Sequence, residues 1–223
     1  MSTPAAHVVP IFATPFGVVT LPDAATLNPA LATLFTARTT PQWREASGGP
    51  GALTFRSRDD LLEWPEEPVR RVTQEILAGV RAVATSVSEL PEREFAALRL
   101  EARAWFTLVR PDGCVPSTSY PNTSWLAVYC VTAPEVSQAR VDGGVLRLHE
   151  SRLLTMFQDP TQGGMRLPYR SGHCTWRPVP GEMAVFPAAL THEIALLRAS
   201  GPLALVSVRA RFVGSGGAWM PPW

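Results

Sequence analysis

The sequence contains no lysine; all 20 basic residues are arginine. This excludes Schiff-base chemistry and any phosphate-cradling loop that depends on a lysine. Genome composition is the plain cause of such a bias. Cysteine is scarce, with only Cys114, Cys130 and Cys174. An odd count without a secretory leader is the pattern of reduced thiols, so a cytoplasmic location is expected. Residues 1–10 have neither the basic region nor the long apolar run of a leader. No stretch approaches the ~18 apolar residues of a membrane span. Charged residues make up 17% and the net charge is +1, so no basic face for nucleic acid is expected. Cys114 has no histidine at the spacing of a known nucleophile–base pair. The Gly-rich stretches at 48–51 and 214–217 lack the strand–loop–helix setting of a phosphate cradle. There is no internal repeat and no low-complexity segment.

What is present is a globular composition, 46% apolar over 223 residues. That is enough for one domain with a substantial core. The 22 prolines are spread along the chain and favour many turns over long helices. In the first third, which looks helical, Asp23 is placed to cap a segment in which Leu27, Leu31, Leu34 and Phe35 recur at helical spacing. A Gly/Ser/Pro loop follows at 46–51. The strongest helical pattern covers 66–87. Glu66 and Glu67 suit its positive end and Pro68 its first turn. Val69, Val72, Ile76, Leu77, Val80 and Val83 form one stripe, as a scaffold helix packed on a sheet requires.

After Pro91 the pattern becomes that of short strands at 98–109, 125–132, 144–149, 182–186 and 203–212. Pro111-Asp112-Gly113 and Pro180-Gly181 supply turns. Helices followed by short strands predict an α+β, mainly β fold: a sandwich or barrel with the helices packed outside. The chain divides into a supporting region at 1–97, a β core at 98–212 and an irregular tail at 213–223, all within one domain.

Four segments carry a family resemblance. Pro180-Gly181-Glu182-Met183-Ala184-Val185-Phe186-Pro187 through His192 resembles 2-oxoglutarate/Fe(II)-dependent oxygenases, in which a Pro-Gly turn, an apolar strand and Phe-Pro precede an iron-binding histidine. Tyr120-Pro121-Asn122-Thr123-Ser124-Trp125 through Val131 is similar to the family's His-x-His-Pro-Asn-Ser strand. Trp105 stands where the family has a Trp, and 144–152 resembles a segment ending in Asp-Pro-Arg, with Arg152 in place of the Arg. The resemblance covers about half the chain. It implies a double-stranded β-helix (a jelly roll, cupin-like), an oxidoreductase ancestry, Fe(II) and 2-oxoglutarate as cofactors, and a small-molecule or peptide substrate. Related jelly rolls often form dimers, so a homodimer is compatible with it.

Non-haem Fe(II) sites use two histidines and one carboxylate on one face of the metal. The resemblance puts His192 at the distal histidine and Thr118 and Tyr120 at the two near-ligand positions. A neutral hydroxyl is a weak ligand, and tyrosinate requires deprotonation from a pKa of ~10. The arginine that grips the cosubstrate, about eleven residues after the histidine in the family, falls at Pro202 or Leu203. Three of the four key positions therefore differ from the family pattern.

Several residues are substitute candidates. His149 with Glu150 offers a His/carboxylate pair for metal, although neighbours on a strand point to opposite faces. His173-Cys174 is a lesser candidate, and His7 suits packing or capping. Arg209 and Arg211 share a strand face and offer a replacement cosubstrate anchor, against the plainer reading of two solvated arginines at a strand end. Arg152 suits an acidic substrate group. Two functional readings follow: an oxygenase-type enzyme with a degenerate iron site, or a pseudoenzyme whose cavity, bounded by Thr118, Tyr120, Trp125 and His192, binds a ligand or performs metal-free acid/base chemistry with Tyr120 and His192 as proton donor and acceptor. A third reading assigns the tail tryptophans, Trp219 and Trp223, to partner docking.

Overall fold

The computed structural model describes residues 10, 12–46, 51–135, 142–150, 164–169, 172–214 and 223. His7, Arg152, Trp219 and most of the 46–51 loop lie outside the described residues. Among the described residues, two antiparallel sheets face each other. The larger has six strands in the order β1 (Gly17–Thr20), β8 (Glu182–Pro187), β5 (Trp125–Thr132), β10 (Leu203–Val213), β3 (Arg99–Val109) and β2 (Thr54–Arg56). The smaller has four, β4 (Val115–Thr118), β9 (His192–Ile194), β6 (Leu146–His149) and β7 (His173–Trp176). This is the expected jelly roll.

Alternation along the strands divides the core in two. Even-numbered residues of β10 (Val206, Val208 and Ala210) share a face with Ala104, Phe106, Ala127 and Tyr129. That face packs against α1 (Ala24–Ala37) and α2 (Glu67–Ser86). Phe106 sits at its centre, stacked on Phe35 of α1 at 4.4 Å and on Phe55 at 5.3 Å. Four stripe residues of α2, Val69, Val72, Ile76 and Val80, are fully buried there, each contributing ~1.5–3 kcal/mol. Gly79 permits the close approach of α2: a Cβ there would lie 1.8 Å from Met183 Cε. The layer's buried polar pair is Tyr129 Oη donating to Asn28 Oδ1 at 2.6 Å. Burial pushes the Tyr129 phenol up to about 12.

Some expectations are corrected. Asp23 precedes α1 but makes no side-chain cap bond; its carboxylate pairs with Arg71 of α2 instead. The first third is not only helical, since it supplies β1 and β2 to the large sheet. A five-residue helix, α3 (Glu92–Ala96), follows Pro91 before the strands begin. No helix among the described residues is long and apolar enough to cross a membrane.

Candidate functional site

The odd-numbered residues of β10 face the other way, into the space between the sheets. Leu205, Ser207, Arg209 and Arg211 pair with Thr107, Trp105, Arg103 and Glu101 of β3. Across the gap, Thr118 of β4 is the cross-strand partner of His192 on β9. Tyr120 follows β4, its N–H bonded to Ala188 O at 2.8 Å. Its ring lies against Trp105 at 5.6 Å and His192 at 5.9 Å. Together these residues enclose a cavity of about 50 Å³, bounded by Arg56, Trp105, Thr118, Tyr120, His192 and Ser207 among others. The structure thus brings His192 together with Thr118 and Tyr120, far apart in the sequence.

His192 is 6% exposed. Its Nδ1 lies 2.9 Å from Leu190 O, and a carbonyl can only accept, so Nδ1 carries the proton. In the neutral ring, Nε2 is then left as an acceptor. Burial lowers the His192 pKa below its ordinary value, with a smaller push from His149; the Leu190 bond opposes both. The ring is therefore neutral at pH 7. Burial also raises the Tyr120 pKa, partly offset by the Arg56 charge, so the phenol keeps its proton. Ring contact alone joins Tyr120 to His192; no hydrogen bond links the two side chains, as direct proton transfer between them would need. Cys130, on the same inner face, has its thiol pushed up to about 12 by burial and is no nucleophile.

A charged network closes one end of this space. The Arg56 guanidinium lies 4.3 Å above the Trp105 ring and pairs with Glu45 and, at 2.6 Å, with Asp59. Asp59 also binds Arg209 at 2.8 Å. Arg209 lies 5.5 Å from the Tyr120 ring. Arg211 binds Glu101 at 3.0 Å, a hydrogen bond that holds that carboxyl below the usual range. Arg209 and Arg211 are thus mostly buried on the inner face, not solvated at a strand end. Each is already engaged by a carboxylate. Trp223 lies over this cluster, 4.4 Å from Arg211 and 5.4 Å from Arg209. Trp223 thus packs on arginines of its own chain.

Two other expected site residues are misplaced. Trp125 pairs with Ala210 and faces the helical layer, so it does not bound the cavity. His149 follows Leu148, which is the cross-strand partner of His192, and so projects from the opposite face of the sheet. It meets His173 across the strand and lies 3.8 Å from Glu193. Glu150 adds no ligand to His192: among the described residues, no group of three His, Cys, Asp or Glu side chains is placed to hold a metal. The set that does converge, one imidazole and two protonated hydroxyls, does not fit Fe(II). Nor does the cosubstrate position supply a cation, because Leu203 is buried in the inner core.

Arg56, Asp59 and Glu45 escaped the sequence reading. Only Arg56 lies on a strand, β2, three residues long and too short for its alternation to register; Glu45 and Asp59 lie outside any strand. The dense charge of Arg56-Ser57-Arg58-Asp59-Asp60 was the available signal.

No protein-family model and no curated sequence matches the chain. Solved structures do. The non-haem α-ketoglutarate-dependent carbocyclase SnoK from nogalamycin biosynthesis is similar with a TM-score of 0.60 at 11% identity, over 92% of this chain and 85% of that one. A Trichoplax adhaerens prolyl hydroxylase, in complex with a peptide fragment of a hypoxia-inducible factor, gives 0.57 at 9% identity, over 88% and 83%. A Pseudomonas putida prolyl-4-hydroxylase gives 0.56 at 17%, over 90% and 94%. At such identities the likeness is one of fold: the chain has the double-stranded β-helix of the 2-oxoglutarate/Fe(II) oxygenases.

Proposed function

We propose that this chain is an oxygenase-fold protein that works without iron, binding a small polar group of its ligand in the cavity around His192. One observation carries the reading. Thr118 and Tyr120 stand beside His192 where the fold would place metal ligands, and burial keeps the Tyr120 phenol protonated. The neutral His192 offers Nε2 as a hydrogen-bond acceptor or general base. Thr118, Tyr120 and Ser207 offer hydroxyl donors. The Arg56–Asp59–Arg209 network holds the aromatic wall of Trp105 and Tyr120 in place.

A second reading retains Fe(II), 2-oxoglutarate and oxidation of a small molecule or peptide, as in the structural neighbours. The Nδ1–carbonyl bond of His192 favours it, since metal-ligating histidines are commonly oriented this way. Anaerobic titration with Fe(II) or Ni(II), followed by desalting and metal analysis, separates the two. The wild-type protein should retain less than about 0.1 equivalent, and Thr118→His combined with Tyr120→Asp, which supplies the missing donor types, should retain close to one. Stoichiometric metal on the wild type, with succinate formed from 2-oxoglutarate, overturns the proposal.

A further inference from the structure

A second, larger cavity of about 340 Å³ lies on the other side of the His192 segment. Leu148, the cross-strand partner of His192, and Leu190, whose carbonyl holds the His192 ring, both border it. Its volume falls in the range of small-molecule sites. Three of its bordering residues are large exposed apolar side chains: Phe12 is 88% exposed, Leu167 68% and Phe16 37%. Apolar surface gathered at the rim of a cavity marks a binding site more than scattered exposed residues do. Phe12 also has a φ of 56°, a left-handed conformation that an aromatic residue seldom adopts. Phe16 is anchored by stacking on Phe186, whose ring contacts His192.

Thr14 and Cys174 also border the cavity, whose two imidazoles come from β6 and β7. His149 and His173 face each other across β6 and β7, with ring centroids 6.5 Å apart. The buried Nε2 of His149 has no hydrogen-bond partner and lies 3.8 Å from the Glu193 carboxylate. Glu150 also borders the cavity, and no arginine is among the described residues that line it, so an anionic ligand meets no counter-charge there. Apolar walls with a pair of imidazoles at one end suit an uncharged molecule with an apolar body and one hydroxyl head.

We infer that this cavity is a binding site for a small, uncharged, apolar molecule carrying a hydroxyl group, such as a phenol or a fatty alcohol. The site stands independently of the iron question, because neither metal nor the inner cavity enters the argument.

Fluorescence titration with 2-naphthol, compared with naphthalene by competition, tests it. Saturable 1:1 binding of 2-naphthol is expected, tighter than that of naphthalene by about fivefold, the effect of one hydrogen bond. Phe12→Ser and Leu167→Ser, both at exposed positions that the fold does not need, should each weaken 2-naphthol about tenfold. His149→Ala should bring 2-naphthol to the affinity of naphthalene, and His173→Ala, at an exposed position, provides the same comparison if the first variant fails to fold. Non-saturable binding, equal affinity for the two probes, or indifference to both rim substitutions would overturn the inference. A wild-type protein that bound iron but also bound 2-naphthol as described would leave it standing.

Discussion

The two faces of the six-stranded sheet are made by the same strands and differ in nearly everything else. On β10, Val206, Val208 and Ala210 turn towards the helices, and Ser207, Arg209 and Arg211 turn towards the second sheet. The helical face is sealed by α1 and α2, and its stacked Phe35, Phe55 and Phe106 leave little room for polar groups. Among the described residues, the inner face is covered by short strands only. There Thr118, Tyr120, His192, Ser207 and the Arg56–Asp59–Arg209 network collect at one end. A strand with a period of two can therefore serve stability on one side and recognition on the other, with no shared side chain.

That division can be challenged by substitution on each face. The largest effect is expected on the helical face: Phe106→Ala should cost ~3–5 kcal/mol in chemical denaturation, because it removes the hub of two aromatic stacks and opens a cavity. If Phe106→Ala cost less than Asp59→Asn, the helical face would not be the main source of stability. Asp59→Asn should cost less, ~1–2 kcal/mol, since it leaves two mostly buried guanidinium groups without their shared carboxylate while some solvent remains to screen them. It should also disturb Trp105 fluorescence, which a distant structural change would leave alone. The smallest effect concerns pH. Burial makes the folded His192 harder to protonate than the unfolded one, so below about pH 6.5 the unfolded state takes up a proton that the folded state refuses. Stability should accordingly fall as the pH drops from about 6.5 through the lower folded value. His192→Gln should flatten this part of the denaturation profile between about pH 7.5 and 5.5. An unchanged slope would show that the inner face does not exclude charge at this position.

How much could be read beforehand depended on element length. β3, β5, β8 and β10, and the helix α2, carry long patterns and fall within a few residues of the expected positions. β1, β2, β4, β7 and β9 run three or four residues each and give no period to read. Two of these, β2 and β9, carry Arg56 and His192, and β4 carries Thr118. His192 was legible only because it follows the Pro180-Gly181 turn and Phe186-Pro187 in a recognisable order. Trp125 was misassigned because an almost wholly apolar strand does not reveal which of its faces looks inward.

The sequence by itself determined the fold class, the turns, the amphipathic helix that backs the sheet, and the mismatch of Thr118 and Tyr120 with an iron-ligand set. These are local properties: periodicity, turn chemistry and the donor strength of a hydroxyl. Register was decided only by the tertiary structure. It turned Arg209 and Arg211 inward and Trp125 outward, set His149 on the face opposite His192, and brought Asp59 to Arg209 from 150 residues away. A shift of one residue in strand pairing reverses every one of these assignments, and that pairing is fixed by the burial of the whole sheet between its two layers.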